Sequence, residues 1–150
     1  MRYDLILLDE FCRELGLSSR LRNNSSLEVS LGDEAVLCFV NAERDEDCLM
    51  GFADTPWHTH GDLIFSDHHG YFVELDPLNV LAGLQSGDVL ICDQEVSGSL
   101  VNRWLVHKIF NDEFKHLMPN ERLVFRRAVE SRKVRHISST PKDGARQWSR

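Results

Sequence analysis

The stretch Asp88-Val-Leu-Ile-Cys-Asp-Gln-Glu-Val-Ser-Gly-Ser-Leu100, running on through Val-Asn-Arg-Trp-Leu-Val-His-Lys-Ile to Phe110, decides the fold. Two runs rich in aliphatic and aromatic residues flank Ser97-Gly98, a pair suited to a tight reversal between antiparallel strands. The spacing predicts a hairpin with arms Asp88–Val96 and Leu100–Phe110. Just upstream, Asp76-Pro77 is a helix start, with the carboxylate as cap and proline at the first helical position. Leu78, Leu81 and Leu84 then mark a short helix that ends near Gly87.

Working further outward, Ala35-Val-Leu-Cys-Phe-Val40 is apolar on both faces, as a central strand would be. Leu27, Val29 and Leu31 alternate like a half-buried strand, Cys48 to Phe52 and Tyr71 to Leu75 read as two more, and Glu121 to Val129 as a last one. Asp4 to Leu15 carries Leu5, Leu8, Cys12 and Leu15 at helical spacing, with Leu7 and Phe11 widening the stripe and Gly16 as its stop. Ser18 to Ser26 is polar and reads as a loop. The result is an α+β fold: an antiparallel β-sheet of about six strands, an N-terminal helix and a second short helix. The centre of that sheet is expected to hold 35–40 and the 88–110 hairpin, with Val36, Phe39, Leu90 and Leu105 buried. Residues 1–130 form one domain, and 131–150 read as a basic C-terminal tail with Trp148 as its one docking side chain.

Charge divides unevenly along the 150 residues. Residues 1–100 hold 19 Asp/Glu against 5 Lys/Arg, a balance of −14, and residues 101–150 hold 5 against 12, a balance of +7, which together make −7. An acidic body repels nucleic acid and membrane surfaces and steers basic partners towards itself; the alternative is that the two halves neutralise each other in the folded domain. The basic positions Arg126-Arg127 and Arg132-Lys-Val-Arg135 read as a solvated patch. Asp4, Asp9 and Glu10 interrupt the N-terminal apolar run, which a secretory leader would not tolerate, so the expected location is cytoplasmic. Cys12, Cys38, Cys48 and Cys92 make no C-x-x-C pair and read as reduced core thiols.

Chemistry-bearing side chains concentrate in Asp54-Thr-Pro-Trp-His-Thr-His-Gly-Asp62 and Ser66-Asp-His-His-Gly70, which hold four of the seven histidines. On an extended chain His58, His60 and Asp62 share one side, because strand side chains alternate. That set is a candidate zinc or other divalent-metal site, with an open position for an activated water. His58-Thr-His60-Gly-Asp62 resembles the opening of the metallo-β-lactamase motif H-x-H-x-D-H, although Leu63 stands where its last histidine would be. A JAB-type metalloprotease pattern also begins with H-x-H, but Ser66 and Asp67 are adjacent here, against its spacing. A cupin-like site would recruit Glu74 and His107. His107, His116 and His136 individually read as surface or hydrogen-bonded residues. There is no G-x-S-x-G elbow and no glycine-rich phosphate loop.

The acidic loops at Asp45-Glu-Asp47 and Asp54, with Trp57-His-Thr-His60 and Leu84-Gln-Ser-Gly-Asp-Val-Leu-Ile91, lend the whole chain a character that resembles the small acidic immunity proteins bacteria pair with secreted polymorphic toxins. The resemblance implies stoichiometric occlusion of a toxin with a basic cleft, without turnover. Its implied partner-binding residues are Asp45, Glu46, Asp47, Asp54, Trp57, His58 and Asp67. The alternative is a small metal-dependent enzyme built on His58, His60 and Asp62.

Overall fold

The computed structural model describes residues 2–32, 34–43, 47–67, 69–110, 117–129, 133–138 and 147–149, the last two spans as backbone. Asp45, Glu46, His68 and His116 lie outside the described residues. The first helix, α1 (Leu5–Leu15), begins where Asp4 Oδ1 accepts from the Leu7 amide and ends at Gly16 with φ +75°. The Gly16 and Leu17 amides then close the helix by donating to the Arg13 and Cys12 carbonyls. Leu5, Leu8 and Cys12 are buried, while Ile6 and Leu7 face solvent, so the apolar stripe is narrower than the sequence implies.

Next comes a five-stranded antiparallel meander: β1 (Ser18–Arg22), β2 (Ser26–Ser30), β3 (Val36–Asn41), β4 (Cys48–Phe52) and β5 (His58–His60). β1 occupies the segment read as a loop. It is an edge strand with Leu21 as its one large apolar residue, so no period-two pattern announces it. What anchors it is charge: Ser19 Oγ donates to Asp9 Oδ1 at 2.6 Å, and Arg13 holds the other oxygen of this buried carboxylate at 2.8 Å.

β6 (Leu63–Ser66) and β7 (Phe72–Leu75) form a separate two-stranded ribbon that leads into α2 (Pro77–Ser86). Asp76 caps α2 by accepting from the Asn79 amide at 2.8 Å. At its other end Gly87 takes φ +89°, and Arg127 Nη2 donates to the Ser86 carbonyl at 3.1 Å, setting a cation on the negative end of the helix dipole.

The hairpin arms are β8 (Val89–Val96) and β9 (Ser99–His107). They belong to a second five-stranded antiparallel sheet with β10 (Glu121–Arg126), β11 (Lys133–Ser138) and β12 (Gln147–Ser149), in the order β12-β11-β10-β8-β9. The α+β class and the N-terminal helix thus hold, but 35–40 and the hairpin sit in different sheets rather than side by side. The span read as a C-terminal tail supplies two strands of the second sheet.

One core cluster joins the two sheets and the helices. Leu27, Val29, Leu37, Phe39 and Met50 of the meander meet Leu8 and Cys12 of α1, Val80, Leu81 and Leu84 of α2, and Val89, Ile91 and Leu105 of the hairpin. A second cluster of Leu90, Cys92, Val106, Leu123 and Phe125 lies on the opposite face of the hairpin sheet. The run Val89 to Cys92 therefore has no polar position because each of its two faces is buried in its own cluster. Phe39, Leu90 and Leu105 are buried as expected, whereas Val36 is half-buried on the outer side of β3.

Candidate protein-binding face

The candidate side chains from the sequence fall into three separate places. His58 and His60 stand exposed on β5, on one side as their spacing requires, with ring centroids 5.3 Å apart. His58 Nδ1 donates to the Pro56 carbonyl at 3.1 Å, and His60 Nδ1 lies 3.0 Å from Asp47 Oδ2. Asp47, not Asp62, is therefore the carboxylate partner on this edge. The Asp62 charge bears instead on Tyr3, whose hydroxyl donates to the Gly61 carbonyl. Among the described residues, no three His, Cys, Asp or Glu side chains are grouped to hold a metal ion.

Asp54 and Trp57 sit on the turn that follows β4. Trp57 is half-buried, its ring packed on Phe52 at a centroid distance of 6.1 Å and its amide donating to Asn102 Oδ1. It is a packing residue at the rim of the core rather than the exposed anchor its proline-bearing loop suggests. Asp54 is exposed, 3.5 Å from Arg103 Nη1. Asp67, the third place, closes the ribbon turn: its Oδ1 accepts from the His69 and Tyr71 amides, which stabilises the reversal and occupies that oxygen.

Beneath Asp54 lies a charged group of which the sequence pattern gives no sign. Asp93 of β8 receives Arg103 Nε at 2.6 Å and Arg126 Nε at 3.2 Å, and the Arg103 guanidinium stacks 5.7 Å from the centre of the Phe52 ring. Arg126, read as part of a solvated basic patch, is thus buried. It faces the interior because it is in register with Ile91 on β8.

Among the described residues, several exposed apolar side chains gather on the outer side of the β6–β7 ribbon and its turn. Leu63 pairs with Leu75 and Phe65 with Val73 facing inward, while Ile64 opposite Glu74 and Ser66 opposite Phe72 face out. Ile64 is 61%, Phe72 66% and the adjoining Tyr71 69% exposed. The hint in the sequence was Phe72-Val-Glu-Leu75, where alternation places an aromatic and a carboxylate on one face. Leu63-Ile-Phe-Ser66 has no such alternation to read. Along the sequence, 45–102 carries 11 Asp/Glu and no Lys or Arg, and of these Asp54, Asp88 and Asp93 meet cations from later in the chain.

A shallow cleft of about 400 Å³ lies beside α2, lined by Asn79, Ser86, Asp88 and His107 among others. Three of its polar side chains are engaged within the fold. Ser86 Oγ donates to the Gly83 carbonyl, Asp88 binds Lys108 Nζ at 2.6 Å, and His107 Nδ1 accepts from the Ile109 and Phe110 amides. Ser86 Oγ thus donates to a backbone carbonyl, and the His107 Nδ1 lone pair is taken up by backbone amides.

Comparison with models of protein families, with curated proteins and with solved structures finds no match. Among the described residues no helix is long and apolar enough to cross a membrane.

Proposed function

We propose that this chain is a cytoplasmic protein-binding module that neutralises a toxin by stoichiometric occlusion, as its likeness to small acidic immunity proteins implies. The observation that carries the reading is the ribbon's outer face: Ile64 and Phe72 stand in solvent beside Glu74, with Tyr71 exposed at the adjoining turn, in a long stretch of sequence without Lys or Arg. Exposed aromatic and aliphatic side chains gathered on one hairpin mark interaction surfaces. A surrounding field of one sign accelerates encounter with a partner of the other sign. Aromatic anchors then hold the complex once water is excluded. The partner is accordingly a protein whose binding surface, or catalytic cleft, is basic and has an apolar patch. His58, His60 and Asp47 lie on the same acidic part of the chain and contribute at the rim rather than as a metal site.

The test uses the product of the neighbouring gene. Cells expressing that product alone should stop growing, and co-expression of this chain should restore growth through a one-to-one complex. Glu74→Lys should slow association, and Phe72→Ser should speed dissociation. A neighbouring product without toxicity, or full protection by the double variant, would sink the assignment.

A further inference from the structure

Two guanidinium groups in the interior of the second sheet share one carboxylate. Arg103 is 5% and Arg126 1% exposed, and each donates through Nε to one oxygen of Asp93. Among the described residues, Arg126 Nη1 and Nη2 are buried without a hydrogen-bond partner. So is Thr55 Oγ1, on the same turn that brings Asp54 to Arg103. The remaining link, Arg103 Nη1 to Asp54 Oδ1, is 3.5 Å long, against about 2.7–2.9 Å for a well-made charge-assisted bond. The group is thus rich in donors and short of acceptors. Buried donors to which nothing is bonded are uncommon, and a charged group left in that state is costly.

We propose that Arg103 and Arg126 form a binding site for a small oxyanion, a carboxylate or phosphate group, entered from the solvent side past Asp54. A planar guanidinium presents parallel N–H groups whose spacing matches two oxygens of either anion. The Asp54 carboxylate, half exposed at the mouth, competes with the incoming anion for Arg103. Thr55 adds a hydroxyl that can donate to it. The site shares no residue with the ribbon face, so either proposal stands without the other.

The intact protein is titrated with sodium phosphate and, separately, with sodium acetate at constant ionic strength, following heat of binding and thermal unfolding. At least one anion should bind saturably and raise the unfolding temperature. Asp54→Asn, a surface change that removes the competing carboxylate, should bind that anion about fivefold more tightly. Arg126→Met, which keeps side-chain length without charge, should not bind it. Stabilisation that is unsaturable and equal in wild type and Arg126→Met would be general exclusion of salt from the surface and would overturn the site. Unchanged or absent binding in Asp54→Asn would overturn it as well, and that variant decides alone if Arg126→Met does not fold.

Discussion

Asp93 and Arg103 face each other across the hairpin because Val101 is left out of the ladder. Glu95 pairs with Leu100 and Gln94 with Asn102, and the one-residue shift places Arg103, instead of Asn102, opposite Asp93. A bulge of this kind reverses the side-chain parity of the strand beyond it. It also turns Trp104 and Val106 to the outer cluster and Leu105 to the inner one.

Asp93→Asn should therefore be severe. It removes the carboxylate shared by two buried guanidiniums, and breaking such a group on one side costs about 3–5 kcal/mol. The midpoint of urea denaturation measures it. A loss below about 1 kcal/mol would mean that the arginines are balanced elsewhere.

Trp57 and Phe72 should separate stability from recognition. Trp57→Ala uncovers Phe52 and should cost about 2 kcal/mol of stability, less than a fully buried tryptophan would. Phe72→Ala touches an exposed ring and should change stability by no more than about 0.5 kcal/mol. Denaturation curves showing the reverse order would place the packing residue and the free surface the other way round.

Gly51 holds the histidine edge close. A Cβ there would meet the Trp57 carbonyl oxygen at 2.7 Å and His58 Cβ at 3.0 Å. Gly51→Ala should push β5 off β4, cost about 1–3 kcal/mol and speed amide exchange at 58–60. Unchanged exchange there would contradict the close approach.

Acid should weaken the fold in a window set by His107. Burial holds its folded-state pKa below the ordinary value of 6.5, with Lys108 pushing the same way and Asp88 opposing. The unfolded chain therefore binds more protons in this range. Stability rises with pH from the folded pKa to about 6.5 and is fully present above it. His107→Gln should flatten that slope. Asp88 acts lower on the scale: its bond to Lys108 draws its pKa below 3.8, so its contribution is lost as pH falls through that lower folded-state value. A slope just below pH 6.5 that survives His107→Gln would assign it to other groups.

Local chemistry was legible wherever one residue type solves one geometric problem. Asp76-Pro77, Gly16 and Gly87 mark helix ends, and Ser97-Gly98 marks the hairpin, where Ser97 and Gly98 both adopt positive φ. The two-sheet arrangement was not legible, because apolar runs such as 35–40 and 89–92 say that a strand is buried but not which neighbours bury it. The Asp93 group was hidden for a sharper reason. Without the bulge, simple alternation pairs Asp93 with Asn102 and gives no hint of a buried arginine. At the histidine cluster the same-side placement of His58 and His60 followed from strand geometry alone. The carboxylate that His60 meets did not, since Asp47 lies on the far side of a strand connection.

The meander has a consequence for the order in which the chain is made. Its five strands lie in sequence between residues 18 and 60, each pairing with the next, so the sheet can assemble from local contacts. Its inner side, however, packs on Val89, Ile91 and Leu105, which leave the ribosome later. At about 5–20 residues per second the delay lasts a few seconds, during which Leu27, Phe39 and Met50 have α1 nearby but lack the hairpin. Nascent chains halted before residue 89 should thus recruit chaperones, and those extended past 105 should release them.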